Sequence, residues 1–114
     1  MEKKRLIFVD IDETICTTQG NVSEARDYSQ AVPMMEKIEY VNSLFDLGHT
    51  IVYWTARGSG TGIDWSDVTM RQFENWGVKF HDVRFGKPVY DLFIDDKSIN
   101  SSEMLNALRF FEDE

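Results

Sequence analysis

The chain has 114 residues, of which 42% are hydrophobic and 13% aromatic, and its formal net charge is −8. That length holds one ordinary domain, and the apolar content builds one core and argues against a disordered chain. The acidic balance disfavours a general polyanion binder, so neither nucleic acid nor a membrane surface is an expected partner. Cys16 is the single cysteine, so no internal disulfide is possible and nothing points to an oxidising compartment. Behind Lys3-Lys4-Arg5 the apolar run is only Leu6 to Val9, too short for a signal peptide or a membrane span, and a cytoplasmic protein is expected.

In chain order, Leu6-Ile7-Phe8-Val9 is the first predicted element, a short apolar run that suits a strand buried on both faces. From Met34 to Leu47, apolar residues at 34, 38, 41, 44, 45 and 47 follow the helical period, with Pro33 before them and Gly48 after. Thr50 to Trp54 repeats the strand pattern. Ser66 or Asp67 is placed to cap a second helix that carries Met70, Phe73 and Trp76 and stops at Gly77. A shorter strand is expected around Val78 to Val83, and another at Tyr90 to Ile94. Ser101 or Ser102 opens a last helix carrying Met104, Leu105, Leu108 and Phe111. Thr17 to Gln30 and Gly58 to Gly62 fit no element. This alternation predicts one α/β domain over 1–114 with a parallel sheet, whose strand C-termini share one edge where such folds place their sites.

The chemistry-bearing residues fall at those strand ends. Asp10 and Asp12 are two apart, so extended backbone projects both carboxylates to one side. One carboxylate then serves as nucleophile while the other exchanges protons with a leaving group. Paired carboxylates facing a phosphate dianion need positive charge among them, and Asp95 and Asp96 add hard oxygen ligands suited to Mg²⁺. Thr55 offers a hydroxyl and an N–H to phosphoryl oxygens, and Lys87 a point charge. Arg57 is open to two readings, a substrate ligand or a surface ion pair. His49 and His81 lack metal-ligand spacing and read as structural or exposed. Trp65 is singled out because it lies in the glycine-rich loop beside the proposed site.

Taken together, Phe8-Val9-Asp10-Ile11-Asp12-Glu13-Thr14, then Thr55, then Lys87, then Asp95-Asp96 resemble the four motifs of the haloacid dehalogenase superfamily, in order. The resemblance implies a three-layer Rossmann-like domain with a central parallel sheet. It implies that Asp10 attacks phosphorus to form an aspartyl-phosphate, and that Asp12 protonates the leaving oxygen and then deprotonates water. Thr55 and Lys87 would bind the phosphoryl group. Mg²⁺ would be held by Asp10, the backbone carbonyl of Asp12 and the pair Asp95-Asp96, the pair's direct ligand being left open. Only 15–32 and 58–65 are available for an insertion, so no cap domain is expected. Thr55-Ala56-Arg57-Gly58 and Gly86-Lys87-Pro88 also resemble small phosphatases of bacterial capsule polysaccharide biosynthesis. The expected partner is therefore a small phosphorylated metabolite such as a sugar phosphate, with a homo-oligomer covering the site as a further expectation. A phosphatase acting on a polynucleotide or protein phosphate, a non-catalytic relative and a receiver-like phospho-acceptor are the alternatives. The receiver is disfavoured because its acceptor Asp ends a middle strand, where this chain has Thr55.

Overall fold

The computed structural model describes residues 3–18 and 26–111. In order these form β1 (Leu6–Val9), β2 (Cys16–Thr17), a 3-10 turn (Tyr28–Gln30), β3 (Val32–Pro33), α1 (Met35–Asp46), β4 (Thr50–Trp54), α2 (Ser66–Trp76), β5 (Asp82–Arg84) and a C-terminal 3-10 helix (Ser101–Phe111). The chain is an α/β protein with a parallel three-stranded sheet of order β1-β4-β5. A separate antiparallel pair joins β2 to β3. Among the described residues no helix is long and apolar enough to cross a membrane.

The sheet grows in one direction from β1, so right-handed crossovers put α1 and α2 on the same face. The core is on that face. Val9, Ile51 and Tyr53 from the strands meet Ile38, Val41 and Leu44 of α1 and Phe73 of α2. The strand residues share a face because side chains alternate, and the α1 residues share a stripe because they recur every three positions. Each such side chain contributes about 1.5–3 kcal/mol when fully buried. The opposite face of β1 carries Leu6, 65% exposed, and Phe8, 46% exposed. β1 pairs only with β4, so its other edge is open among the described residues.

Several expectations are shifted by tertiary context. α1 ends as expected, with Gly48 at positive φ after Leu47, but Leu47 itself is exposed. The N-cap of α2 is Trp65 rather than Ser66 or Asp67, and Asp64 accepts the Ser66 N–H at 2.9 Å in place of a cap side chain. Gly77 closes α2 in the left-handed conformation. The strand expected over 78–83 forms at Asp82–Arg84, because Val78 is drawn into the core and His81 bridges to β4 instead. His81 N donates to Ile51 O and its ring accepts from Ile51 N, while the His49 ring accepts from Arg5 N, so both histidines are structural. In the last helix Met104 is buried and Leu105 exposed, while the side chains of Leu108 and Phe111 lie outside the described residues. Residues 19–25 of the unassigned stretch 17–30 lie outside them as well.

The largest departure concerns Tyr90 to Ile94, which forms no strand. Every residue of 88–100 is exposed, with Leu92 at 75% and Ile94 at 87%. The run has a strand's composition, but it pairs with no sheet edge of its own chain.

Candidate active site

The sheet's C-terminal edge gathers the first motif. Beyond β1, Ile11 O accepts from the N–H groups of Thr14 and Ile15, and Glu13 N donates to Cys16 O. This tight turn holds Glu13 at φ 62, a region few side chains adopt. Its carboxylate accepts from the Thr18 N–H at 2.9 Å and from the Thr18 hydroxyl at 2.8 Å, which ties the turn to β2. Asp10 and Asp12 project from either end of the fully buried Ile11.

Asp10 lines a cleft of about 700 Å³, and its carboxylate lies 3.6 Å from Lys87 Nζ. The Asp10 side chain remains 37% exposed, accessible to a ligand. Burial pushes its carboxyl above the ordinary 3.8, against the opposing pull of Lys87 and of the Ile11 N–H. Lys87 is itself well anchored. Its N–H donates to Thr55 O at 3.0 Å and its carbonyl accepts from Ser59 Oγ at 2.8 Å.

Asp12 is arranged quite differently. Arg57 Nε donates to one of its oxygens at 3.0 Å and Nη2 to the other at 2.9 Å, a bidentate pair. The remaining Arg57 nitrogen, Nη1, donates to Thr69 Oγ1 at 3.0 Å and to Gln72 Oε1 at 2.6 Å, both on α2. Arg57 is buried, so it is neither a surface ion pair nor a ligand projecting into the cleft. It is a brace that links α2 to the first motif. Gly58 makes the turn behind it possible, since it holds φ +82 and a Cβ there would collide with Ile63 O.

Thr55 ends β4 at the same edge, but its side chain is fully buried and its hydroxyl accepts from the Arg57 N–H at 3.1 Å. It is absent from the lining of the cleft, so its visible task is to shape the turn that carries Arg57. Cys16 is buried beside Asp12, 3.4 Å from its carboxylate, and burial pushes its thiol up to about 12. The thiol is therefore an inert packing group.

The stretch with no predicted structure contributes two residues that sequence reasoning missed. Arg26 and Tyr28 both line the cleft. Tyr28 stands edge-on to Trp65, ring centroids 5.1 Å apart, and the Arg57 guanidinium lies 4.9 Å from its ring centre. Gln72 Nε2 donates to Tyr28 O at 2.6 Å, which fastens this segment to α2. The only signal for them was a basic and an aromatic residue in an otherwise polar stretch.

Asp95 and Asp96 are exposed on the segment 88–100 and are not brought to Asp10 and Asp12. Among the described residues no group of three or more His, Cys, Asp and Glu side chains is arranged to hold a metal ion. With Asp95 and Asp96 carried away, Asp10 is the one expected carboxylate ligand of the metal that faces the cleft. The residues that one chain assembles therefore do not fit the expected Mg²⁺ site.

No family model matches the chain, and no curated protein matches it. A solved structure, the crystal structure of a target protein from Vibrio cholerae, is similar to it with 27% sequence identity and a TM-score of 0.76. The likeness covers 97% of this chain and 98% of that one, so the two share their architecture from end to end.

Proposed function

We propose that this protein is a phosphatase that hydrolyses a small phosphate monoester through attack by the Asp10 carboxylate on phosphorus. The observation that carries the reading is the approach of Lys87, far along the chain, to within 3.6 Å of Asp10 in an open cleft. A phosphoryl group seated there meets a nucleophile on one side and a cation for its equatorial oxygens on the other. In the first step an Asp10 oxygen forms a bond to phosphorus and the bond to the leaving oxygen breaks, that oxygen taking a proton. In the second, water attacks the aspartyl-phosphate, inorganic phosphate departs and the carboxylate is restored. Asp12 is the acid–base group of the pair, and the brace from Arg57 orients it.

The cleft also supports a small polar leaving group. Its volume suits a metabolite. Arg26 offers a second positive charge, and the Tyr28–Trp65 pair an aromatic wall of the kind that packs against a sugar ring. As a test, the full chain is assayed for phosphate release against a monoester panel, with and without added Mg²⁺, beside Asp10→Asn. Loss of turnover by at least about 10³-fold in the variant is expected. Equal turnover by the two proteins would sink the reading.

A further inference from the structure

The segment 88–100 and the open edge of β1 are complementary features of one chain that the chain itself leaves apart. The segment holds Val89, Tyr90, Leu92, Phe93 and Ile94, a strand-forming composition spread in solvent. Among the described residues no strand pairs with this edge, which is flanked by Leu6 and Phe8. Such an edge is a template for an added strand.

Both ends of the segment are tethered to their own body. Lys87 is held at the end of β4 through Thr55 O, Ser59 Oγ and Asp10. On the return, Ser101 Oγ donates to Glu13 O at 3.2 Å, and Ser101 O accepts from Lys37 Nζ at 3.1 Å. The first tether prevents parallel pairing within the chain. A parallel strand with Ile94 level with Val9 begins with Asp91 level with Leu6. Thr55, where Lys87 is fastened, lies about five residue levels above Leu6 and two strand spacings away from the new strand, given the pairing of Val9 with Tyr53. That separation is about 19 Å, whereas the four residue steps from 87 to 91 span at most ~14 Å.

We propose that two copies of this chain exchange these arms, Tyr90–Ile94 of each adding as a parallel strand to the open edge of β1 in the other. The bend at Asp91 and the Tyr90–Phe93 contact open as the arm pairs with a partner's β1, and a reciprocal exchange is a closed two-fold assembly. In this direction the partner's Asp95 and the partner's Asp96 emerge beside Asp10. The carboxylates that one chain fails to assemble then come from two, and each cleft is composite.

The first measurement is the mass of the full chain in solution by light scattering, expected at twice the single-chain 13.3 kDa. The double variant L92K/I94K changes two side chains that are exposed in the single chain, so it is expected to keep its far-UV circular dichroism and fall to the single-chain mass. Should that variant not fold, Leu6→Lys on the acceptor edge takes its place with the same expected mass. A single-chain mass for the wild type, or a variant that stays dimeric, overturns the exchange. A second experiment, which rests on the phosphatase reading, isolates mixed dimers of Asp10→Asn and D95N/D96N through two different tags. One of the two clefts in such a dimer is wholly wild type, so about half the wild-type activity returns. No recovery in a verified mixed dimer overturns the composite cleft. A wild type that releases no phosphate defeats the phosphatase reading alone, and the mass measurement still decides the exchange.

Discussion

β4 and the arm 88–100 are written in nearly the same alphabet and have opposite fates. Ile51, Val52 and Tyr53 are buried, with neighbours in β1 and β5 and with α1 and α2 above them. Leu92, Phe93 and Ile94 lie in solvent at the far end of a tethered loop. Burial is thus a property of reach as much as of residue type. β4 lies between two crossovers long enough to bring strands to both its edges, whereas the arm has too few residues between Lys87 and Asp91 to reach the open one. The polar residues show the same contrast. Arg57 and Asp12 are locked together behind the sheet edge, while Asp95 and Asp96 are carried outward.

The comparison is most severely tested at Arg57. Arg57→Met removes the guanidinium that engages Asp12, Thr69 and Gln72, leaving a partly buried carboxylate unpaired. A loss of about 3–5 kcal/mol is expected in denaturant unfolding. Double substitution with Asp12→Asn should recover part of it, and failure to do so would mean that the brace acts through packing alone.

Matched truncations sharpen the contrast between body and arm. Ile51→Ala is expected to cost about 2–5 kcal/mol, as a large-to-small change in a closed core. Ile94→Ala, the same deletion in the arm, should stay within about 0.5 kcal/mol when both are measured on the dissociated chain. Similar losses at the two positions would show that the arm packs against its own body in solution.

A smaller effect is expected with pH at Cys16. Its thiol, ordinarily at 9.0, is pushed up to about 12 in the folded chain. Between these values the unfolded chain loses a proton that the folded chain keeps, so stability falls as pH rises above 9. At pH 10 this amounts to about 1.4 kcal/mol. Cys16→Ala should flatten that part of the stability–pH curve, and an unchanged slope would show that the thiol ionises freely in the fold.

β1, β4, α1 and α2 were legible because their signals are local: apolar runs of strand length, a helical stripe, and glycines where helices stop. The gathering of Asp10, Asp12, Thr55 and Lys87 at one sheet edge was legible for a related reason, since parallel strands end on the same side. Arg57 was not legible. A lone arginine after a strand carries no mark of whether it faces solvent, ligand or carboxylate, and only the packing of α2 against the first motif makes it a brace. Arg26 and Tyr28 were hidden because a loop's path depends on distant partners, here Trp65 and Gln72.

The sequence by itself therefore determined the α/β class, the strands and helices that local pattern encodes, and the edge at which the first motif and Lys87 meet. The tertiary structure decided which polar groups remain accessible there, leaving Asp10 and Lys87 in the cleft and burying Thr55 and Arg57. It also decided that Tyr90–Ile94 does not join its own sheet. Pairing is a matter of distance between tethered ends, and no pattern along the chain records that distance.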